Sequence, residues 1–208
     1  MIRLGQGLQQ GLRQAVGDCR AVIKLPVTSS WRGAGLTRYL APRPVYIKEI
    51  TGKSDLKKSA RLIRKSFQTV RRQFNLNRKN CPGFNSFIGW PRLYELKENG
   101  ARFFSIFWGR KMAGFITVEK AGDGQYYLEK LAVLPAYRHN GLGKALVEHA
   151  LAYCTAEGGK RVSIGLINEN TVLKKWYKQF GFMEKEVKAY DHLPFTVCYM
   201  EMVLHKER

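Results

Sequence analysis

The sequence predicts an α/β domain built on a single mixed sheet. Three observations carry this expectation. Strand-like and helix-like patterns alternate from Val45 to Leu204. Three strand signals follow one another between Ala101 and Leu134, as an antiparallel meander requires. The strand after them is flanked by helical segments on both sides. With 208 residues, 45% hydrophobic and 25% charged, the chain suits one globular domain with a sizeable core.

The elements follow in order. Val45–Ile50 alternates apolar and polar residues and reads as a first strand. Ser54-Asp55 offers a helix cap, after which Leu56, Ala60, Ile63, Phe67 and Val70 recur at helical spacing. Asn80–Pro91 is uncharged and aromatic, with two prolines and two glycines, and reads as a loop before a short helix over Arg92–Lys97. Ala101–Trp108, Met112–Lys120 and Gln125–Leu134 form the meander, with turns at Gly109-Arg110 and Gly122-Asp123-Gly124. A helix from Gly141 to about Glu157 places Leu142, Ala145, Leu146, His149 and Ala150 on one face and stops at Gly158-Gly159. Arg161–Ile167 is a buried strand, Thr171–Phe180 a helix, and Phe182–Asp191 with Thr196–Leu204 a closing strand pair.

Thirty-six Lys and Arg against 16 Asp and Glu give a net charge of +20 and a pI near 10.0. Such a balance favours anionic partners without choosing among them. The absence of an uncharged apolar run of about 18 residues excludes a spanning helix and so a membrane partner. Cys19, Cys81, Cys154 and Cys198 stand far apart with no C-x-x-C spacing. That disfavours a zinc knuckle or disulfide framework, so no metal is expected, and a cytoplasmic, reducing compartment is the simpler reading.

Residues 1–44 differ from the rest. They hold six arginines, one lysine and a single acid, Asp18, and close on Ala41-Pro42-Arg43-Pro44. This stretch reads as a basic extension, either disordered, transit-like and serving organellar import, or translated upstream sequence. The folded unit is expected over residues 45–208.

The chemistry concentrates where a strand ends at Pro135 and the chain turns through Arg138-His139-Asn140-Gly141-Leu142-Gly143 into a helix. Converging backbone N–H groups, a helix dipole and glycines that admit close approach make an anion cradle suited to a diphosphate. The spacing fits neither a Walker loop nor a Rossmann fingerprint. Arg138-x-x-Gly141-x-Gly143, preceded by Leu131-x-Val133-x-Pro135, resembles the acetyl-CoA signature of the GNAT acetyltransferase superfamily. A second stretch, from Asn168 through Asn170 and Tyr177 to Gly181-Phe182, is similar to that family's closing motif.

The resemblance implies a GNAT fold: one mixed, mostly antiparallel sheet, splayed and flanked by helices. It implies acetyl-CoA as co-substrate and transfer to a primary amine by direct attack in a ternary complex. Backbone groups of Leu131, Ala132 and Val133 would then hold the thioester arm. The amides of Arg138, His139, Asn140, Gly141, Leu142, Gly143 and Lys144 would hold the diphosphate. Asn170 would contact the arm, and Tyr177 would protonate the leaving thiolate. A strand period of two puts Tyr127, Glu129, Leu131 and Val133 on one face, and the resemblance, through members with titratable groups at this part of the strand, makes Glu129 the candidate base.

Each assignment has a plainer counterpart. Arg138 steers phosphate as a surface cation, Tyr177 packs beside Trp176, Glu129 pairs with a nearby cation, and His139 faces solvent. Cys198 is a core thiol, and His192 lines the acceptor site or simply a strand connection. The run Lys57–Lys79 carries nine cations and no acid. It is a solvated face, or it recruits an anionic or ribosomal partner such as RNA or an acidic peptide. The alternative to catalysis is a CoA-binding or RNA-associated module with the same fold. The acceptor, whether small molecule, peptide or protein, is left open.

Overall fold

The computed structural model describes residues 21–22 and 44–204. The remaining expectations for the first 44 residues lie outside them. The strands are β1 (Ala21–Val22), β2 (Val45–Glu49), β3 (Arg102–Trp108), β4 (Lys111–Lys120), β5 (Gln125–Val133), β6 (Arg161–Ile167), β7 (Met183–Lys188) and β8 (Val197–Val203). The helices are α1 (Lys53–Gln73), α2 (Trp90–Glu98), α3 (Leu142–Ala156) and α4 (Thr171–Lys178). One open sheet takes the order β1-β2-β3-β4-β5-β6-β8-β7. Every neighbouring pair is antiparallel except β5 and β6.

Two apolar layers cover the sheet. Leu56, Ala60, Leu62 and Ile63 of α1 and Leu93 and Leu96 of α2 bury Phe103, Phe115 and Ala132 on one face. Leu142, Leu146, Val147, Ala150 and Cys154 of α3, with Tyr177 of α4, bury Ile106, Ile116, Leu128 and Ile164 on the other. Helix α3 sits so close on β4 that a Cβ at Gly114 would come within 2.9 Å of Leu146 Cδ1. Only glycine allows that approach.

The expected elements are all present, with shifted ends. Helix α1 begins at Lys53 behind Gly52, so the Ser54-Asp55 pair lies in its first turn rather than capping it. Within the expected loop Asn80–Pro91, Asn85–Phe87 form a 3-10 turn, and Trp90-Pro91 already open α2. Proline suits a first helical turn, where its missing N–H would have had no partner.

The feature that makes a site is the junction of β5 and β6. They pair only at Gln125↔Arg161, Tyr126↔Val162 and Tyr127↔Ser163. Beyond that, β5 stays bonded to β4 as far as Gly114↔Val133. β6 stays bonded to β8 as far as Ile167↔Val197. The two strands therefore part, and the backbone edges from Leu128 and Ile164 onward face each other without pairing. Unpaired strand edges hold backbone donors and acceptors ready for an extended ligand.

Candidate active site

The loop after β5 opens onto this gap. Pro135–Tyr137 make a 3-10 turn, and α3 begins at Leu142 with Gly141 as its cap. His139 and Gly141 both adopt left-handed backbone, at φ 62° and 74°. Glycine takes this conformation freely, whereas histidine does so at a cost, a local strain of the kind met at binding loops. Asn140 Nδ2 donates to the Arg138 carbonyl at 2.9 Å and closes the turn. No side chain caps α3 and no acid lies in its first turn. Its first N–H groups and the positive end of its dipole are thus left for an external anion. Leu142, fully buried, anchors the helix start, and Lys144 is exposed and pairs with Glu148.

Three elements converge at the cradle. A Cβ at Gly143 would meet Val133 Cγ2 of β5 and Trp176 Cζ2 of α4, each at 3.7 Å. That is ordinary van der Waals separation, so a side chain there would fill the opening without disturbing the backbone. The cradle, the end of β5 and α4 together fit an elongated ligand with a diphosphate at one end.

Arg138 behaves differently from a phosphate ligand. Its Nη2 donates to the Ser66 carbonyl at 2.8 Å and to Thr69 Oγ1 at 3.0 Å, both on α1. Its Nε donates to the Val133 carbonyl at 3.2 Å. The guanidinium staples the cradle to α1, and partial burial lowers its pKa. Neither side-chain role weighed from the sequence matches this. Arg138→Ala should cost about 1–3 kcal/mol, the range for hydrogen bonds from a charged group. Thermal unfolding, falling by roughly 2–12 °C, checks this.

The face assigned to Glu129 needs correcting. Phe115 pairs with Ala132 but Thr117 pairs with Glu129, so Lys130 and Leu131 together oppose Ile116. This is a β-bulge, and Lys130 takes left-handed backbone at φ 53°. The extra residue reverses the alternation. Leu128, Leu131 and Val133 all pack on the α3 layer, while Ala132 joins the α1–α2 layer. Glu129 shares the α1–α2 face with its partner Thr117, opposite to Leu131 and Val133. The bulge therefore presents backbone toward one face and carboxylates toward the other.

Glu129 forms an ion pair with Lys130, whose side chain is only 10% exposed. Lys130 Nζ also stands 3.7 Å from Glu119 Oε1. Sequence reasoning missed Glu119, although the period of two through Phe115, Thr117 and Glu119 would have placed it beside Glu129. Burial raises the Glu119 pKa first and the Glu129 charge adds to this, while Lys130 and Arg92 of α2 pull it down. The buried Thr117 hydroxyl and Glu119 Oε1 lack hydrogen bonds in the protein.

On α4, Asn170 caps the helix by accepting from Leu173 N at 3.2 Å, which leaves its amide N–H groups as donors. Tyr177 is buried against the rings of Trp176, Phe180 and Phe182. Burial alone pushes its hydroxyl well above the ordinary phenol range, so it holds its proton at neutral pH. Cys81, Cys154 and Cys198 are free and buried. Burial raises all three thiols, Cys154 to about 12, which suits core residues rather than nucleophiles. His192 is exposed.

Among the described residues no cluster of three His, Cys, Asp or Glu is placed to hold a metal. None of the described helices is long and apolar enough to cross a membrane. A concavity of about 230 Å³ between Glu49, Lys97 and Arg102 lies at the β2–β3 edge, away from the cradle.

The sheet is thus mixed and splayed, with an uncapped helix start beside its opening. The chain matches the Acetyltransferase (GNAT) family over residues 65–182. It belongs to that family. It is 27% identical over 123 residues to an uncharacterized N-acetyltransferase of Methanocaldococcus jannaschii, covering 50% of this chain and 54% of the relative. The chain thus spans about half the length of that curated relative. The ribosomal-protein-S18-alanine N-acetyltransferase of Escherichia coli shares its fold at a TM-score of 0.63 and 17% identity, over 79% of this chain and 96% of that one. An acetyltransferase of Staphylococcus aureus does so at 0.58 and 18%, over 76% and 99%.

Proposed function

We propose that the chain transfers the acetyl group of acetyl-CoA to a primary amine by direct attack in a ternary complex. The observation that carries this reading is the uncapped start of α3, preceded by left-handed His139 and Gly141, opening on the gap where β5 leaves β6. The cofactor supplies an activated acetyl thioester when bound. The amides of residues 138–144 hold its diphosphate, and the free backbone edge of Leu131–Val133 orients its arm in the gap. Asn170 donates to the arm from the cap of α4.

The acceptor enters from the α1–α2 face, where Glu129 and Glu119 lie beside Lys130. Glu129, ion-paired with Lys130, takes the ammonium proton there, directly or through water. Tyr177, protonated because it is buried, gives its proton to the leaving thiolate. Burial of Cys81, Cys154 and Cys198, the cysteines among the described residues, supports direct attack rather than an acyl-enzyme on any of them.

Thiol release from acetyl-CoA across a panel of primary amines tests the reading. Amine-dependent release with a stoichiometric acetylated product is expected. Tight CoA binding without turnover on any amine would instead mark a binding module.

A further inference from the structure

Helix α1 carries eight basic residues and one acid, Asp55. Leu56, Ala60, Leu62 and Ile63 turn inward onto the sheet. The outward face is left to Lys57, Arg61, Lys65 and Arg72, all exposed. Their spacings of four, four and seven residues keep them in one row along the helix. At 1.5 Å per residue the row runs about 22 Å, with Lys57, Arg61 and Lys65 about 6 Å apart.

The neighbouring cations are already engaged. Lys58 pairs with Asp55, and Arg64 donates to the Ile88 carbonyl. Arg71 and Arg78 lie over the Phe87 ring at 5.7 and 4.8 Å. Lys57, besides its place in the row, stands 5.4 Å above the Trp90 ring. Arg61, Lys65 and Arg72 have no such partner, and none of the four makes an ion pair with a carboxylate among the described residues. Like charges at four-residue spacing destabilise a helix by a few tenths of a kcal/mol per pair. The row is thus a local cost that an external polyanion would relieve.

The row also separates nucleic acid from an acidic protein. A protein partner needs apolar anchors at the centre of its interface. The exposed large apolar residues are Tyr94, Tyr127, Val172, Met183, Val187 and Val203, none of them on α1. A phosphate backbone needs only evenly placed cations, and guanidinium forks match its oxygens.

We propose that the outer face of α1, through Lys57, Arg61, Lys65 and Arg72, binds the phosphate backbone of a nucleic acid. The row lies on the side of α1 turned away from the sheet. Contacts to phosphate carry no sequence information, so binding there is expected to be independent of sequence.

The test uses the full chain, a fluorescently labelled twelve-nucleotide uridine RNA, and salt from 50 to 200 mM. Each neutralised phosphate of a single strand contributes about 0.7 to the slope of log affinity against log salt. Four contacts therefore contribute about 2.8. The variant Lys57→Gln/Arg61→Gln/Lys65→Gln/Arg72→Gln should lose about two to three units of slope and at least tenfold in affinity at low salt. Because all four residues are exposed, its Tm and CoA affinity should match the parent, which confirms a folded chain.

A twelve-residue polyglutamate should bind more weakly than the RNA and show little change in the variant. An unchanged slope in the folded variant would place RNA binding elsewhere and overturn the proposal. Polyglutamate binding as tight as RNA and lost in the variant would overturn it in favour of an acidic protein. None of these outcomes depends on whether acetyl transfer proceeds as proposed.

Discussion

Tyr177→Phe is expected to lower kcat by 10²–10⁴-fold while acetyl-CoA affinity stays within about threefold of the parent. That loss corresponds to about 3–5 kcal/mol of barrier. The substitution is a clean probe because the ring contacts to Trp176, Phe180 and Phe182 survive it. No hydrogen bond offsets the burial that raises its pKa, so removing the hydroxyl should leave stability nearly level. Glu129→Gln should fail differently. Its rate should fall most near neutral pH and recover in part at alkaline pH, where more of the acceptor amine is already unprotonated. Profiles of kcat and kcat/KM against pH with one confirmed amine separate the two roles. If Glu129→Gln keeps the parental profile, the base is another group on the same face, and Glu119 is the nearest carboxylate. If Tyr177→Phe loses cofactor binding instead, the ring packs against the arm and another donor protonates the sulfur.

Gly143→Val should abolish measurable CoA binding in a folded protein. Gly143 has ordinary helical backbone, and its Cβ position lies at normal contact distance from Val133 and Trp176. The added methyls must therefore enter the opening rather than strain the chain. Gly141→Val is a poorer test, because φ 74° is itself unfavourable for a branched side chain and the variant would mix strain with blockage. Calorimetric titration with CoA, alongside thermal unfolding, checks both. A folded Gly143→Val protein with parental affinity would remove the cradle from the account.

Much of this arrangement was legible in the sequence, and what was hidden has a common cause. The loop from Arg138 to Gly143 announces itself through local chemistry, because glycines and a helix start are written in consecutive residues. The meander and the inward face of α3 follow from period alone. The bulge at Lys130 carries no such mark. No glycine, asparagine or proline stands there, and the left-handed lysine is held by pairing with β4 and by two carboxylates. One uncounted residue then moved Glu129 to the opposite face from Leu131 and Val133. The contacts of the Arg138 side chain were hidden for the same reason, since its partners Ser66 and Thr69 lie about seventy residues away. Sequence spacing speaks for groups that act through their own backbone. It is silent on long side chains that find distant partners.

The central claim is that the cofactor lies along the cradle and the unpaired edge of β5. An amide-resolved NMR titration of the full chain with CoA tests it most directly. The account predicts large shifts at His139, Gly141, Leu142, Gly143 and Lys144, continuing through Leu131–Val133 to Asn170. Residues lining the concavity at Glu49, Lys97 and Arg102 should stay unperturbed. Saturable shifts gathered at that edge or along α1, with the cradle amides unmoved, would contradict it.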